Sequence, residues 1–530
     1  MEASELRRKL ASLLVVRGSG HARDHQRRYP RWELSNADLR ELLDEGVGGV
    51  ILLGGSAEEL RLRCDQLQRW ASQPLLLCAD VEEGVGQRFE GASWLAPPLA
   101  LGALHQSDPE QAEALAERYG RCTGRQARLL GLNWVLGPVC DVNNNPANPV
   151  INVRAWGETP ATAGALAAAF VRGCQGEGVL ACAKHFPGHG DTSCDSHLEL
   201  PELPHDLGRL GAIELPPFQQ AIAAGVASVM TAHLRLPALD PKQPATLSGA
   251  VLTQLLRQEL QFCGLVVTDA LVMEAISQHH GSAEAAVLAF EAGADLILMP
   301  ADAREALDGL VEAVQSGRIS EQRLDASLER RRSALAQCAE SRETALDELV
   351  TPSERQLSGE LLTLSLVLHG GQGLPPGPGL NLIRLDNQLN APQLPLVAPA
   401  LLRPSALGYE ARLIDARSPS PWGQDPKAPL ALDRLPDGPV LLQLLVRGNP
   451  FRGSAGGDEP WPQVVRQLLA AQRLAGLAVY GSPYLWQALQ PLLPPELPAA
   501  YSPAQMPQAQ ALVLQALGLP EAALEGGFTD

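Results

Sequence analysis

The first part of the chain alternates short apolar runs with longer stretches in which apolar residues recur at helical spacing. Segments such as 109–130 and 161–175 have the period of amphipathic helices. Because continuous apolar runs are typical of strands buried on both faces, the pattern indicates a parallel sheet. Eight runs rich in Val, Ile, Leu and Ala are the predicted strands: 13–16, 49–53, 75–79, 134–136, 179–183, 228–232, 265–268 and 295–299.

Eight strand–helix units between residues 13 and 299 fit a closed (β/α)8 barrel of the TIM type. The alternative arrangement is an open, doubly wound sheet. Such sheets carry a glycine-rich dinucleotide fingerprint after an early strand, and none follows the first strands here. The sequence therefore favours the barrel.

The texture changes beyond residue 350, where prolines become frequent while short apolar runs continue. We interpret this part as a smaller α/β domain with proline-rich loops. The predicted organisation is a catalytic barrel over 1–345, a linker region over 346–375 and a C-terminal α/β domain over 376–530.

The composition of the chain indicates which classes of binding partner and which cellular compartment to expect. The formal net charge of -18 argues against nucleic acid and anionic membranes as partners. No segment approaches the roughly 18 apolar residues needed to cross a bilayer, and the first apolar run is too short for a secretion signal. The nine cysteines are odd in number and form no CxxC pair, so neither a disulfide framework nor a zinc site is expected. We expect a cytoplasmic protein.

Polar residues recur where the predicted strands end. In a barrel the carboxyl ends of the strands share one rim, so such residues converge on a pocket. One of them alone is usually a cap or a buried ion pair, but a series at one rim indicates a functional site. The series is Asp80, Asp141, Lys184 with His185, His233, Asp269 and Met299.

The segment 184–201 is the densest in chemically active side chains. Asp195 and His197 are two residues apart, and a bent loop can bring the carboxylate to one imidazole nitrogen. The other nitrogen is then free for general acid–base work near neutral pH. The alternative is a metal site, since three histidines and two aspartates lie within 185–197. The glycine-rich spacing fits a preformed metal cage poorly.

Asp269 closes the apolar run 265–268 and so lies at a strand tip. A carboxylate there can be a nucleophile, a metal ligand or a structural anchor. With a proton donor across the pocket, it suits double displacement at an acetal carbon through a covalent intermediate.

Four motifs in this order resemble glycoside hydrolase family 3, in its β-N-acetylglucosaminidase branch. They are 80–84 (DVEEG), 148–154 (NPVINVR), 184–197 (KHFPGHGDTSCDSH) and 267–271 (VTDAL). The resemblance covers residues 1–340 closely, whereas the remainder resembles the family's C-terminal α/β sandwich only in texture.

The resemblance implies a retaining exo-β-N-acetylglucosaminidase that needs no metal or cofactor. Its substrate would be a small glycoside of N-acetylglucosamine or a muropeptide, as in peptidoglycan recycling. Asp269 matches the nucleophile, and Asp195 with His197 matches the acid/base dyad. The residues that match or resemble the sugar-binding pocket are Asp80, Arg88, Arg154, Lys184, His185, His233 and Met299.

Three alternatives stay open. A histidine acid/base would repel a phosphate acceptor less than a glutamate, so a phosphorylase is conceivable. A β-glucosidase of the same family would be favoured if the Asp195–His197 pair were missing. A non-catalytic sugar-binding protein would be expected to lack Asp269 or His197, and the sequence has both.

Overall fold

The computed structural model describes residues 2–196, 198–339, 346–371, 373–388, 390–415, 418, 430–447 and 459–519. The chain divides into two compact units, 1–358 and 359–530. The domain boundaries expected from the sequence, at 345 and 375, stay a prediction.

Among the described residues of the first unit, eight parallel strands form the barrel, and an antiparallel hairpin, β7–β8, follows the sixth of them. In chain order the strands are β1 Leu14–Ser19, β2 Gly49–Leu53, β3 Leu76–Ala79, β4 Trp134–Val135, β5 Cys182–Phe186, β6 Ser228–Thr231, β7 Arg235–Leu236, β8 Asp240–Pro244, β9 Leu265–Val267 and β10 Ile297–Leu298.

The barrel strands form two parallel arcs, β10-β1-β2-β3-β4 and β5-β6-β9. Single bridges join the arcs at both edges, Trp134 to Leu180 and Val267 to Leu296, and they close the ring. The predicted barrel is confirmed. The largest difference at a strand start is in β5, which begins at Cys182, three residues later than the predicted start at 179, and includes Lys184 and His185. Their polar side chains ended the apolar run in the sequence, although the fold buries both.

Helices cover the barrel strands, and several of them begin at a capping side chain. Ser56 and Glu59 form a reciprocal capping box at the start of the third helix, which satisfies two exposed N–H groups. The helices are α1 Ala3–Ala11, α2 Asn36–Glu45, α3 Ala57–Trp70, α4 Ala100–Ser107, α5 Pro109–Leu129, α6 Pro160–Gln175, α7 Leu207–Arg209, α8 Leu215–Ala223, α9 Glu274–Ser277, α10 Ser282–Ala292, α11 Ala303–Gln315 and α12 Glu321–Leu335, with π-helical segments at Leu210–Glu214 and Ala250–Glu259.

The described residues of the remaining chain form one mixed sheet. Its strands are β11 Val367–His369, β12 Gly379–Leu385, β13 Tyr409–Ile414, β14 Val440–Val446, β15 Leu474–Gly481 and β16 Ala499–Ser502, in the order β11-β16-β15-β14-β12-β13. The helices are α13 Pro352–Leu364, α14 Pro399–Ala406, α15 Trp461–Ala470, α16 Pro483–Leu489 and α17 Pro507–Ala516.

Alternate residues of the central strands feed two separate apolar cores. Leu442 packs in a core with Trp461, whereas its neighbour Leu441 packs in the other with Val513. Strands that are apolar on both faces belong to a sheet covered on both sides. The α/β sandwich expected from the resemblance is confirmed.

Two expectations about the environment can be compared with the fold. Within the described ranges, every helix is too short or too polar to cross a bilayer. All nine cysteines carry free thiols, and six of them are buried. Burial raises the pKa of the Cys182 thiol to about 12, so this side chain is a neutral core residue.

Candidate active site

A buried lysine links two acidic residues of the loop after β3. Lys184, in β5, places its Nζ 2.7 Å from Asp80 Oδ1 and 2.6 Å from Glu82 Oε1. The Lys184 side chain is 2% exposed, whereas that of Asp80 is 37% exposed. Asp80 therefore faces the open side of the rim, and Lys184 holds it from below.

Glu82 also forms an ion pair with Arg154, which lies in the segment after the fourth strand. Arg154 donates from Nε and Nη2 to the two carboxylate oxygens of Glu82, at 2.8 and 2.9 Å. A third bond from its Nη1 reaches the Val150 carbonyl at 3.0 Å. This two-pronged geometry fixes the plane of the guanidinium group. Glu82 thus connects the loops after β3 and β4 with strand β5.

The charges in this cluster stabilise one another. Burial alone would raise the pKa of Glu82, but Arg154 and Lys184 hold it well below its usual range. Burial would lower the pKa of Lys184, but Asp80 and Glu82 outweigh it and raise that pKa. Glu82, Lys184 and Arg154 are therefore all ionised near neutral pH.

A second buried carboxylate, that of Asp141 after β4, contacts both His185 and His189. Its Oδ2 lies 2.7 Å from His185 Nδ1, and its Oδ1 accepts the His189 backbone N–H at 2.7 Å. Burial opposes ionisation of Asp141, yet His185 and His189 lower its pKa. An ionised Asp141 makes Nδ1 of His185 the protonated nitrogen, which leaves Nε2 for a ligand.

His189 is enclosed by its own loop. Its Nδ1 lies 2.8 Å from the Thr192 hydroxyl and its Nε2 lies 3.0 Å from the Ser196 hydroxyl. Burial lowers the pKa of His189 to about 4, so the ring is neutral at pH 7. The His185 and His189 rings meet edge to face with centroids 6.1 Å apart.

Asn148 fastens this loop to the one after β4. Its side-chain amide donates to the carbonyls of His189 and Gly190 at 2.8 and 2.9 Å. Its oxygen accepts the backbone N–H groups of Val150 and Ile151. The motif around 148–154 therefore positions both Arg154 and the loop 188–192.

Asp269 lies at the tip of β9, as the sequence predicts. Its backbone N–H donates to Thr231 Oγ1 at 3.3 Å, and its Oδ1 accepts the Ala270 N–H at 2.7 Å. The side chain is half-buried at the rim. Its carboxylate is near enough to His189 and Cys182 to contribute to the pKa shift of each.

Of the two residues in the predicted acid/base pair, the structure describes Asp195. Asp195 is 2% exposed, and its carbonyl accepts the N–H groups of Leu198 and Glu199 at 2.9 and 3.1 Å. Asp195 therefore lies in a tight turn. His197 lies outside the described residues, and its role stays a prediction.

The remaining predicted pocket residues lie around the rim. His233 is fully buried, with Nε2 3.0 Å from the Ala270 carbonyl and Nδ1 2.8 Å from the Thr246 hydroxyl. Met299 follows β10 with a φ of 46° and is 8% exposed. Arg88 is exposed, and its Nε donates to the Asp80 carbonyl at 3.1 Å. Arg88 contacts the Asp80 loop through the backbone, not through the carboxylate.

One group of side chains beside this loop has the donors of a metal site. Asp191, His205 and Glu214 bring their ligand atoms within 4.8 Å of one another. Arg209 already bonds there, with one nitrogen 3.2 Å from both Asp191 Oδ2 and Glu214 Oε1. The guanidinium group therefore already supplies a positive charge to both carboxylates.

The sequence reasoning assigned no role to Glu82 or Asn148, and it placed Asp141 at the functional rim without a specific role. Glu82 and Asn148 lie inside the motifs that carried the resemblance, and Asp141 follows a predicted strand. A carboxylate shortly after a predicted strand is the sequence signal that could have found Glu82 and Asp141, and no such signal marks Asn148.

Together, the closed barrel and the paired charges at the carboxyl ends of its strands place the candidate site at the face where barrel enzymes carry their active sites. The sequence matches the glycosyl hydrolase family 3 N terminal domain over residues 5–333 and the bacterial glycosyl hydrolase family 3 C-terminal domain over 377–518. The chain therefore belongs to glycosyl hydrolase family 3, and the resemblance found in the motifs is confirmed.

Several named proteins are similar to this chain. Beta-hexosaminidase A of Pseudoalteromonas piscicida is 34% identical over 374 residues, which span 64% of this chain and 62% of that protein. A beta-hexosaminidase of Stenotrophomonas maltophilia is 38% identical over 288 residues, 53% of this chain and 84% of that one. A family 3 beta-N-acetylglucosaminidase from Paenibacillus sp. str. FPU-7 superposes with a TM-score of 0.76 at 31% identity, over 97% of each chain.

Proposed function

We propose that this protein is a retaining exo-β-N-acetylglucosaminidase, which removes terminal β-linked N-acetylglucosamine from the non-reducing end. The observation that carries the proposal is the convergence of Asp80, Arg154, Lys184 and His185 on the rim that also holds Asp269. The relatives described above, two named beta-hexosaminidase and one beta-N-acetylglucosaminidase, support the choice of sugar.

The sugar-binding role rests on donors and acceptors that the cluster leaves available. Lys184 uses two of its three N–H donors on Asp80 and Glu82, which leaves one for a sugar hydroxyl. Asp80 keeps an exposed oxygen, and His185 presents Nε2. Hydroxyl groups donate and accept at once, so a mixed set of this kind suits the outer hydroxyls of a pyranose.

In the proposed reaction the Asp269 carboxylate attacks the anomeric carbon. The bond to the leaving oxygen breaks, and His197 gives that oxygen a proton, with Asp195 holding the imidazole. Water then attacks the glycosyl–Asp269 ester as His197 takes its proton. The sugar is released with its β configuration retained, and Asp269 is free again.

Cell-wall fragments in peptidoglycan recycling are the proposed natural substrates, with the cytoplasm as the matching compartment. The family resemblance supports this part of the proposal. Cell fractionation, together with release of N-acetylglucosamine from muropeptides by the purified protein, would test it. A protein recovered outside the cytoplasm would contradict the proposed compartment.

The first experiment measures nitrophenol release from the β-N-acetylglucosaminide and the β-glucoside, each with and without phosphate. We expect a strong preference for the N-acetyl substrate without dependence on phosphate. Formation of a sugar 1-phosphate would support the phosphorylase instead, and a preference for the glucoside would support the β-glucosidase. Proton NMR of early product should show the β anomer; an α anomer would refute retention.

Asp269→Ala should lower kcat by several orders of magnitude, and azide should restore turnover by giving an α-glycosyl azide. The matched control is Asp65→Ala, an exposed position on α3. Wild-type turnover in Asp269→Ala would show that Asp269 is not the nucleophile.

His197→Ala should slow the hydrolysis of substrates with poor leaving groups more than that of substrates with activated ones, because activated leaving groups need less protonation. Equal losses would argue against His197 as the acid.

A further inference from the structure

The two residues proposed as the acid/base pair lie in a long connection between two elements. Asp195 and His197 follow β5, which ends at Phe186, and precede α7, which begins at Leu207. The described part of this connection forms no helix or strand of its own. Regular backbone hydrogen bonding therefore does not hold the pair, and side-chain contacts have to do so.

One such contact lies within the histidine loop itself. The hydroxyl of Ser196, between the two residues of the pair, is 3.0 Å from His189 Nε2. The carbonyl of His189 in turn accepts the side-chain amide of Asn148 at 2.8 Å. This contact links the pair to the turn that follows β5.

A second contact joins the two ends of the segment that carries the pair. His205 Nε2 lies 2.8 Å from Asp191 Oδ2, across a separation of 14 residues. Asp195 and His197 both lie between these two positions. A compact loop whose ends meet in this way has fewer open conformations than a free segment of the same length.

Arg209 extends this contact to the buried part of the fold. One of its nitrogens lies 3.2 Å from both Asp191 Oδ2 and Glu214 Oε1. The side chain of Glu214 is only 3% exposed, and a Cβ on Gly188 would lie 2.8 Å from its Cβ. Burial raises the pKa of Glu214, while Arg209 and His205 oppose the rise. The closed end of the loop is thus fixed to a residue that cannot move freely.

We infer that His205 and Arg209 are positioning residues for the acid/base step: through Asp191 they keep the loop closed and so place Asp195 and His197 at the leaving oxygen. The inference rests on the roles given to Asp195 and His197 in the proposed function. His205 and Arg209 act through Asp191, and the proposed reaction gives neither of them a proton to transfer.

The position of a proton donor matters most for a poor leaving group. A general acid works only within hydrogen-bond reach of the oxygen it protonates. A displacement of about 1 Å can cost on the order of a hundredfold in rate. An activated leaving group departs with little protonation, so it should be affected far less. Opening the loop should therefore slow the two kinds of substrate unequally, whereas partial unfolding would slow both equally.

The experiment compares kcat/KM for the nitrophenyl and the unsubstituted phenyl β-N-acetylglucosaminides. The ratio of the two values does not depend on the fraction of folded enzyme. In Asp191→Ala and in His205→Ala we expect the nitrophenyl-to-phenyl ratio to rise by about tenfold over wild type. His205→Gln should restore part of the wild-type ratio, because its amide N–H can still donate to Asp191.

Two further measurements separate positioning from a general structural effect. The matched control is His21→Ala, since His21 Nδ1 lies 3.1 Å from Glu59 Oε2 and the two side chains are 23% and 33% exposed. The pair of Asp191 and His205 is 25% and 24% exposed. His21→Ala should keep the wild-type ratio. In a His197→Ala background, Asp191→Ala should not change the ratio further, because the proton donor it positions is already absent.

A raised ratio in both loop variants, together with a wild-type ratio in the control, supports the inference. A wild-type ratio in Asp191→Ala and His205→Ala overturns it, even if both substrates are slowed. A further rise caused by Asp191→Ala in the His197→Ala background also overturns it, since Asp191 then acts independently of His197. A wild-type protein that hydrolyses neither glycoside refutes the proposed function, and the inference with it.

Discussion

Replacing Glu82 by Gln removes one buried negative charge from between two buried cations. Glu82 accepts three charge-assisted bonds of 2.6 to 2.9 Å from Arg154 and Lys184. The amide keeps the shape but leaves Arg154 without its ionic partner. Because an uncompensated buried charge costs about 3–5 kcal/mol, we expect the free energy of unfolding to fall by about 4 kcal/mol at pH 7.

The pH dependence gives this expectation a sign that a packing defect would not have. The folded-state pKa of Glu82 lies well below its ordinary value of 4.5. Its stabilisation is therefore fully present above pH 4.5 and is lost as the pH falls through the folded-state value. The difference between wild type and Glu82→Gln should be constant from pH 7 to 5 and should shrink below pH 4.5.

Urea unfolding followed by tryptophan fluorescence at pH 7, 5 and 4 measures this difference. Glu202→Gln is the matched control, because Glu202 and Arg235 are 51% and 44% exposed and 3.8 Å apart. An exposed pair of that kind contributes about 0–1 kcal/mol. A loss below about 1 kcal/mol in Glu82→Gln, or a loss that stays the same at pH 4, would refute the reasoning.

Three further outcomes follow from the site. Asp141→Asn should lower kcat/KM about ten- to a hundredfold, because His185 loses a hydrogen bond to a charged group; a wild-type value would show that His185 needs no such partner. His189, with a pKa of about 4, should cost the wild type up to about 3 kcal/mol of stability as the pH falls from 6.5 to 4, and unfolding of His189→Gln should lack this component. A chelator should leave kcat/KM unchanged, because Arg209 supplies the cation beside Asp191; a loss reversed by added zinc would contradict this.

The barrel could be predicted from the sequence because its strands are buried on both faces. That burial forces continuous apolar runs, and the eight runs each overlap a strand of the structure. The positions of Asp80 and Asp269 were equally accessible, since each directly follows such a run. The sequence therefore predicts well the position of a residue that depends only on its immediate neighbours in the chain, such as a residue that directly follows an apolar run.

The pairing inside the site was not accessible in this way. The loop after β3 reads Asp80-Val81-Glu82-Glu83, and the pattern does not show which acid turns inward. Lys184 selects Glu82, but Lys184 itself breaks the apolar run that marks β5. A buried ion pair between distant segments has no local signature, because each partner alone resembles a surface residue.

The glycines of the histidine loop show that contacts with distant residues determine which of two possible local conformations a segment adopts. Gly188 and Gly190 indicate either a mobile loop or a sharp turn. A Cβ on Gly190 would lie 1.8 Å from the Val142 carbonyl oxygen, and Gly188 has a φ of 131° against Glu214. With Asn148 bonded to the same turn, these glycines permit close packing, not freedom. The segment that leads to Asp195 therefore begins at a fixed turn, which fits the proposed role of Asp195 in orienting a proton donor.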